Sequence, residues 1–158
     1  MLFRSRALVV LDHGERVLLD HGTRVRVTAA GSLALDTGRV WIAAASTIDP
    51  LAAEPARLEA GSATLHLRGV RASVSREGDG AALDVLGGEV AWSAGTRQGA
   101  VHAGEHGVLQ RAAATVSART LFDDWTGGLA DELPAGVTVG GAVGLGSVAA
   151  RRPDEQGA

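Results

Sequence analysis

Two Asp-His steps stand close together near the N-terminus, in the phrase Leu-Asp-His-Gly-x-Arg-Val that runs from Leu11 to Val17 and again from Leu19 to Val25. They hold two of the five histidines of the 158-residue chain. An imidazole beside a carboxylate can move a proton near neutral pH, and two such pairs brought together would supply ligands for a metal ion. The glycine after each pair points to a plainer role. Asp before Gly favours a tight turn, because the carboxylate bonds nearby backbone and glycine reaches positive φ without strain. A short strand plus a tight turn takes about eight residues, so equivalent turns recur at that spacing. In a meander successive turns fall at opposite ends of the sheet, which would part His13 from His21. We read Asp12-His13-Gly14 and Asp20-His21-Gly22 as two turns, with a shared metal or proton-transfer site as the alternative.

The other chemical candidates also have structural readings. Gly144 to Ala149, "GLGSVA", has the G-x-G-x-x-A form of a dinucleotide fingerprint, but the residues after it are too few for the rest of a βαβ unit. His102, Glu105 and His106 lie in "HAGEH", which is not H-E-x-x-H, and Gly104 between the histidines favours a turn over a helix presenting both rings. Asp123 and Asp124 suit the first turn of a helix, where negative charge is favoured. No G-x-S-x-G elbow, phosphate loop or supported Ser-His-Asp set is present. The chain is read as a non-enzyme with no cofactor and no metal.

These residues need a scaffold, and composition indicates its class. With 46% hydrophobic residues, 22 glycines and a mean hydropathy of +0.12, the chain is too apolar for disorder and rich in turn formers. A net charge of −3 removes the basic footprint of a nucleic-acid binder. Zero cysteines exclude disulfides. The first apolar run, before Asp12, is too short for a membrane span or a signal peptide. From Ala7 onward, apolar runs such as "ALVVL", "RVLLD", "TRVRV", "SLALD" and "RVWIA" are broken by Gly-containing turns, the pattern of an all-β domain.

A longer repeat underlies the short one. Gly14, Leu18, Gly22, Arg24 and Val27 match Gly61, Leu65, Gly69, Arg71 and Val74; after a three-residue insertion, Leu33, Leu35, Gly38 and Val40 match Leu83, Val85, Gly88 and Val90. The expected fold is an all-β, twisted, pseudo-repeated short-strand meander, solenoid-like or sandwich-like, made of two three-strand units at about 14–43 and 61–93. Gly14, Gly22, Gly38, Gly69, Gly88 and Gly104 are its structural turns. The stretch "STIDPLAAEPARLEA" between the units is a linker, with room for a helical turn or an edge crossing.

Leu121, Phe122 and Trp125 fall on one helical face, Thr120 with Asp123 resembles a capping box, and Gly127-Gly128 is a stop. One short C-terminal helix over 119–130 is expected to dock on a β-domain spanning 1–118 through those three anchors, followed by a Gly/Ala-rich tail or linker over 131–158. Trp92 shares a face with Val90 and reads as core, whereas Trp41 lies on the face opposite Val40. Trp41 is either covered by the linker or helix, or forms with Arg39 a candidate partner-binding patch.

The signals "GTRVRV" at Gly22 to Val27, "GVRASV" at Gly69 to Val74, "VLGGEV" at Val85 to Val90 and "VHAGEHGVL" at Val101 to Leu109 resemble those of the FecR domain. This is the extracytoplasmic β-rich sensor region of bacterial sigma-factor regulators. Val70 and Ala72 replace the Thr and Phe typical of that family. The resemblance covers about residues 10–112 and implies a periplasmic or cell-surface domain that senses a signal or binds protein. The tail is similar to the join that leads, in some larger bacterial proteins, into a downstream VIT domain. The expected partner is another envelope protein or a flanking domain of the same chain. The alternatives are a structural spacer or adhesion-type module of a larger surface protein, and a carbohydrate- or metal-binding accessory module.

If the Asp-His steps are turns, changing His13 and His21 together to Gln should move stability by no more than about 0.5 kcal/mol. Zinc, nickel and copper should then give no saturable rise in melting temperature in the unmodified protein. A saturable rise that vanishes in the double variant restores the pair as a site.

Overall fold

Short apolar runs separated by turn formers cannot each bury a face alone, so they pair into sheets, and the sheets cover one another. In the computed structural model, residues 6–10, 15–29, 32–43, 56–119 and 121–127 are described. They form strands β1 (Ala7–Val10), β2 (Arg16–Leu19), β3 (Arg24–Ala29), β4 (Ser32–Thr37), β5 (Arg39–Ala43), β6 (Ala56–Ala60) and β7 (Ala63–Leu67). Then follow β8 (Arg71–Glu77), β9 (Gly80–Gly87), β10 (Glu89–Ala94), β11 (Arg97–His102), β12 (Glu105–Leu109) and β13 (Ala114–Ala118). The domain is all-β.

The strands make a seven-stranded sheet, in the order β1-β2-β5-β8-β9-β12-β13, and a six-stranded sheet, β11-β10-β7-β6-β4-β3. All pairs are antiparallel except β4 with β6, which is parallel. The strands do not follow one another in a single sheet, because the chain passes from one sheet to the other after β2, β4, β5, β7, β9 and β11. Each segment matched in the sequence holds four strands instead of three. In the first, β2 pairs β5 in the seven-stranded sheet while β3 pairs β4 in the six-stranded one. In the second the sheets are exchanged, with β7–β10 in the six-stranded and β8–β9 in the seven-stranded sheet. The linker also needs correction at its end, where Ala56, Leu58 and Ala60 alternate inward and make β6. Residues 44–55 lie outside the described residues.

Changing sheets within two residues brings backbones into close contact. Thr23, fully buried before β3, donates its hydroxyl to the Arg39 carbonyl (3.0 Å) and accepts from the Arg39 N–H (3.2 Å). The Asp20 N–H also donates to the Arg39 carbonyl, at 3.2 Å. Gly38, at φ +92°, lies so near Thr23 that a Cβ there would stand 2.6 Å from its Cα. At the matching point of the second segment, Gly88 has φ +76°, and a Cβ would stand 2.2 Å from the Gly69 carbonyl oxygen. The turn between β4 and β5, and that between β9 and β10, must therefore be glycine for space as well as for φ.

Both sheets contribute to one core. Val17, Val40, Ile42, Val74, Leu83, Val85 and Leu109 from the seven-stranded sheet meet Leu33, Leu35, Leu58, Leu65, Leu67, Val90 and Trp92 from the six-stranded sheet. This is a sandwich-like arrangement with alternate residues facing in, as in the buried-intermediate alternation of β6 and β7. In β2 and β5 the alternation fails, because Leu18 and Trp41 on the other face are buried too.

The expected C-terminal helix is absent from residues 121–127, which run as irregular chain into a turn. Local bonds account for this. The Trp125 N–H donates to the Asp123 carbonyl at 2.8 Å, and the Asp124 carboxylate accepts the Thr126 N–H at 3.0 Å, so the Asp side chain supplies a turn in place of helical bonds.

Gly22, also at positive φ, has open space where a Cβ would stand. Gly22→Ala should cost about 1 kcal/mol from backbone strain alone. Gly38→Ala and Gly88→Ala should each cost roughly 1–3 kcal/mol more, because backbone must also move. Urea unfolding of the three variants measures the ranking, and equal losses at all three would refute the crowding.

Candidate functional site

The face of the seven-stranded sheet turned away from the main core carries Leu18 on β2, Trp41 on β5, Ser73 on β8 and Leu86 on β9. Residues 121–127 lie across it like a strap. Trp125 packs with Leu18 and Trp41, the three only 2–6% exposed, while Leu86 and Phe122 pack against them half-buried. The Trp41 and Phe122 rings are tilted 45°, with centroids 6.1 Å apart. The Trp125 indole Nε1 donates to the Ser73 Oγ at 2.9 Å, pairing both buried polar groups.

A charged clamp closes over the ring. The Arg39 guanidinium stands 4.6 Å from the Trp125 centroid and that of Arg6 stands 5.9 Å away, both within cation–π range. The same two arginines hold Asp20, with Arg39 Nε at 2.5 Å and Arg6 Nε at 3.4 Å from its oxygens. Burial works to raise the Asp20 carboxyl, but hydrogen bonds from Arg39, the His21 backbone and Arg6 hold it below the ordinary carboxylate range. Nearer β13, Arg119 donates to the Val85 carbonyl at 2.8 Å and lies 6.0 Å from the Phe122 ring. Arg6, Asp20, Arg39 and Arg119 each have a structural partner at this site, and what the arrangement does is fasten one segment to a sheet.

The residues singled out from the sequence fall as follows. Trp41 lies beneath the strap at 2% exposure, so it offers no surface to a partner in this arrangement, and Arg39 is engaged with Asp20 and Trp125. Of the three expected anchors, Trp125 and Phe122 face the sheet, whereas Leu121 is 86% exposed. Extended chain sends neighbouring side chains to opposite sides, which separates Leu121 from Phe122. Gly22, Gly38, Gly69, Gly88 and Gly104 all have positive φ. Gly14, His13, Thr120 and the Gly144 to Ala149 motif lie outside the described residues. His21 is exposed in the turn after β2, at the opposite end of that strand from the β1 pairing at Arg16.

The histidines of "HAGEH" bind carboxylates on separate strands. His102 lies between Glu89 (3.0 Å) and Glu105 (3.1 Å), the first two exposed and Glu105 half-buried, and its N–H and imidazole hold the Glu105 carboxyl below its ordinary value. His106 lies 2.8 Å from Asp84. Among the described residues no set of three His, Cys, Asp or Glu is placed to hold a metal. A shallow open depression on the six-stranded sheet is lined by His66, Arg68, Glu89 and Ala91. Sequence reading missed the Ser73 contact, which spans 52 residues and leaves no local signal, and the pairing of Asp20 with Arg39. The one hint of that pairing was that each lies beside a glycine-containing turn.

No protein-family model and no curated protein sequence matches the chain. Among solved structures it is similar to a "putative anti-sigma factor" from Parabacteroides distasonis, seen in two crystal structures at 1.65 and 2.50 Å resolution. In each case the TM-score is 0.57 at 14% identity over 75% of this chain, and the likeness is one of fold. The chain spans 57–58% of the length of those proteins.

Acid should test the clamp. A carboxyl held low in the folded state contributes stability that is present above its unfolded value, near pH 3.9, and lost as pH falls through the lower folded value. Asp20→Asn should therefore be less stable than the unmodified protein at pH 7, and the gap should narrow as pH falls below about 4. Urea midpoints across that range measure it; a gap that stays constant with pH removes Asp20 from the clamp.

Proposed function

We propose that the chain is a FecR-like β-domain that binds another protein in the bacterial cell envelope as part of sigma-factor regulation, without catalysing a reaction. The observation that carries this reading is the fold shared with the anti-sigma factor structures. The sequence signals that resemble the FecR domain agree with it. "VLGGEV" falls on the turn from β9 to β10, with Gly88 at its tip, and "VHAGEHGVL" falls on the hairpin of β11 and β12, with Gly104 at positive φ. In such a reading these glycines build the frame, and recognition belongs to exposed side chains. The paired state of these histidines and carboxylates supports this division, because each group already bonds a neighbouring strand.

The test is a photo-crosslinking amino acid placed at exposed Val10 or Val27 in the chain exported to the periplasm of its host, together with a reporter for the host's extracytoplasmic sigma factors. The expected result is one discrete adduct with an envelope protein and altered reporter output when the chain is overproduced. Unchanged reporter output, with saturable binding of zinc or an oligosaccharide in calorimetry, would overturn the reading in favour of an accessory module.

A further inference from the structure

We propose that β13 is a self-association edge, through which two copies of the chain pair antiparallel across a two-fold axis at Val116 and join their seven-stranded sheets. This goes beyond the sigma-factor reading and does not depend on it.

Two sheets leave four edges, β1 and β13 in one and β3 and β11 in the other. Edges that must stay single are commonly blunted by charge, bulges or proline. β3 is blunted, with Arg24 and Arg26 in its length and two register irregularities against β4. β11 begins with Arg97 and Gln98. β13 has none of these devices. It reads Ala-Thr-Val-Ser-Ala, pairs β12 in unbroken register, and no strand covers its outer side among the described residues.

The backbone polarity of that outer side is fixed. The Ala113 carbonyl accepts from the Gln110 N–H, and the Arg119 N–H donates to the Gly104 carbonyl, so both residues point toward the β11–β12 side. Strand groups alternate with a period of two, so the N–H and C=O of Ala114, Val116 and Ala118 point outward.

What selects a second copy as the occupant is the sequence of the strand itself. "ATVSA" is symmetric in chemistry about Val116: small, hydroxyl, branched apolar, hydroxyl, small. Antiparallel self-pairing centred on Val116 sets Val116 against Val116, Ala114 against Ala118, and Thr115 against Ser117 of the second copy. Each pair matches in size and polarity, and Thr–Ser pairs across strands can hydrogen-bond. The two-fold makes 114, 116 and 118 the hydrogen-bonded positions, the same three whose backbone groups point outward. An isologous contact requires this kind of self-complementarity. Val116 also has a reason to be covered. It lies opposite Gly107, on the side of Leu83 and Val101, and is 39% exposed. Pairing would shield both valines at the open end of the sandwich. The strap does not interfere, since residues 121–127 lie over Trp41 and Ser73.

A single five-residue strand buries little surface, so the association is weak and depends on concentration. Sedimentation equilibrium between about 1 μM and about 1 mM should show a monomer–dimer equilibrium. Val116→Lys sets like charges against one another at the axis and should weaken it by at least about tenfold. Val27→Lys, on the β3 edge, should leave it unchanged. Circular dichroism and urea unfolding check that both variants are folded. Because the chain has no cysteine, Val116→Cys supplies a direct reading of register. Opposed Cα atoms in a hydrogen-bonded antiparallel pair lie about 5.5 Å apart, within disulfide reach, so mild oxidation should link two copies faster than it links Val27→Cys. A monomer throughout the concentration range, a dimer unaffected by Val116→Lys, or equal linking of the two cysteine variants would each overturn the proposal.

Discussion

The close passage of backbone at the sheet changes is the constraint on which the rest of the structure depends. At Gly38 the chain passes over Thr23, and at Gly88 it passes over Gly69 and Val70, in each case within the space a single methyl group would fill. These contacts let β2 and β5 lie in one sheet while β3 and β4, the chain between them, lie in the other. They place the exchanged pairs of the second segment in the same way. Without them the two sheets would be joined by long crossings, and a chain of this length has few residues to spend on such loops. The Thr23 hydroxyl, bonded to both backbone groups of Arg39, closes the first passage.

The strap depends on the frame in turn. Its hold is mainly apolar, as magnitudes indicate. Truncating a buried tryptophan costs about 3–5 kcal/mol, whereas an ion pair with partial exposure, such as Arg39 with Asp20, is worth about 1 kcal/mol or less. The ring anchors the segment, while the arginines and Ser73 fix its orientation and leave no buried polar group of the indole unpaired. Trp41 is buried as a consequence, and the outer face of the central strands becomes a second, smaller core.

How much of this was legible in the sequence follows from the range of the interactions. Strand runs and turn glycines were readable because both are local: alternation has a period of two, and a positive φ is specified by the glycine itself. The faces of Trp92 and Trp41 were readable for the same reason, by parity against Val90 and Val40. Sheet membership was not. Whether β3 stays beside β2 or passes to the other sheet depends on packing at Thr23 and Gly38, residues that a plain hairpin would also accept. The helix expected at Leu121, Phe122 and Trp125 came from a spacing that extended chain satisfies equally when its contacts are supplied by a sheet. Asp123 and Asp124 tip the balance toward the turn, by accepting bonds that a helix would have directed elsewhere.

The same distinction bears on function. Catalytic groups are commonly left poised, with unpaired hydrogen-bonding capacity aimed at a space a substrate can enter. Here Asp20, His102, His106 and Arg119 are each bonded to strands or segments distant in the chain. Binding of another protein makes a different demand, met by surface shape, apolar side chains left outside and open strand edges. Val10, Val27 and Leu121 are exposed at separate places, and β13 offers an unblunted edge. These margins, and not the paired charges, are where the proposed protein-binding reading looks for its contacts.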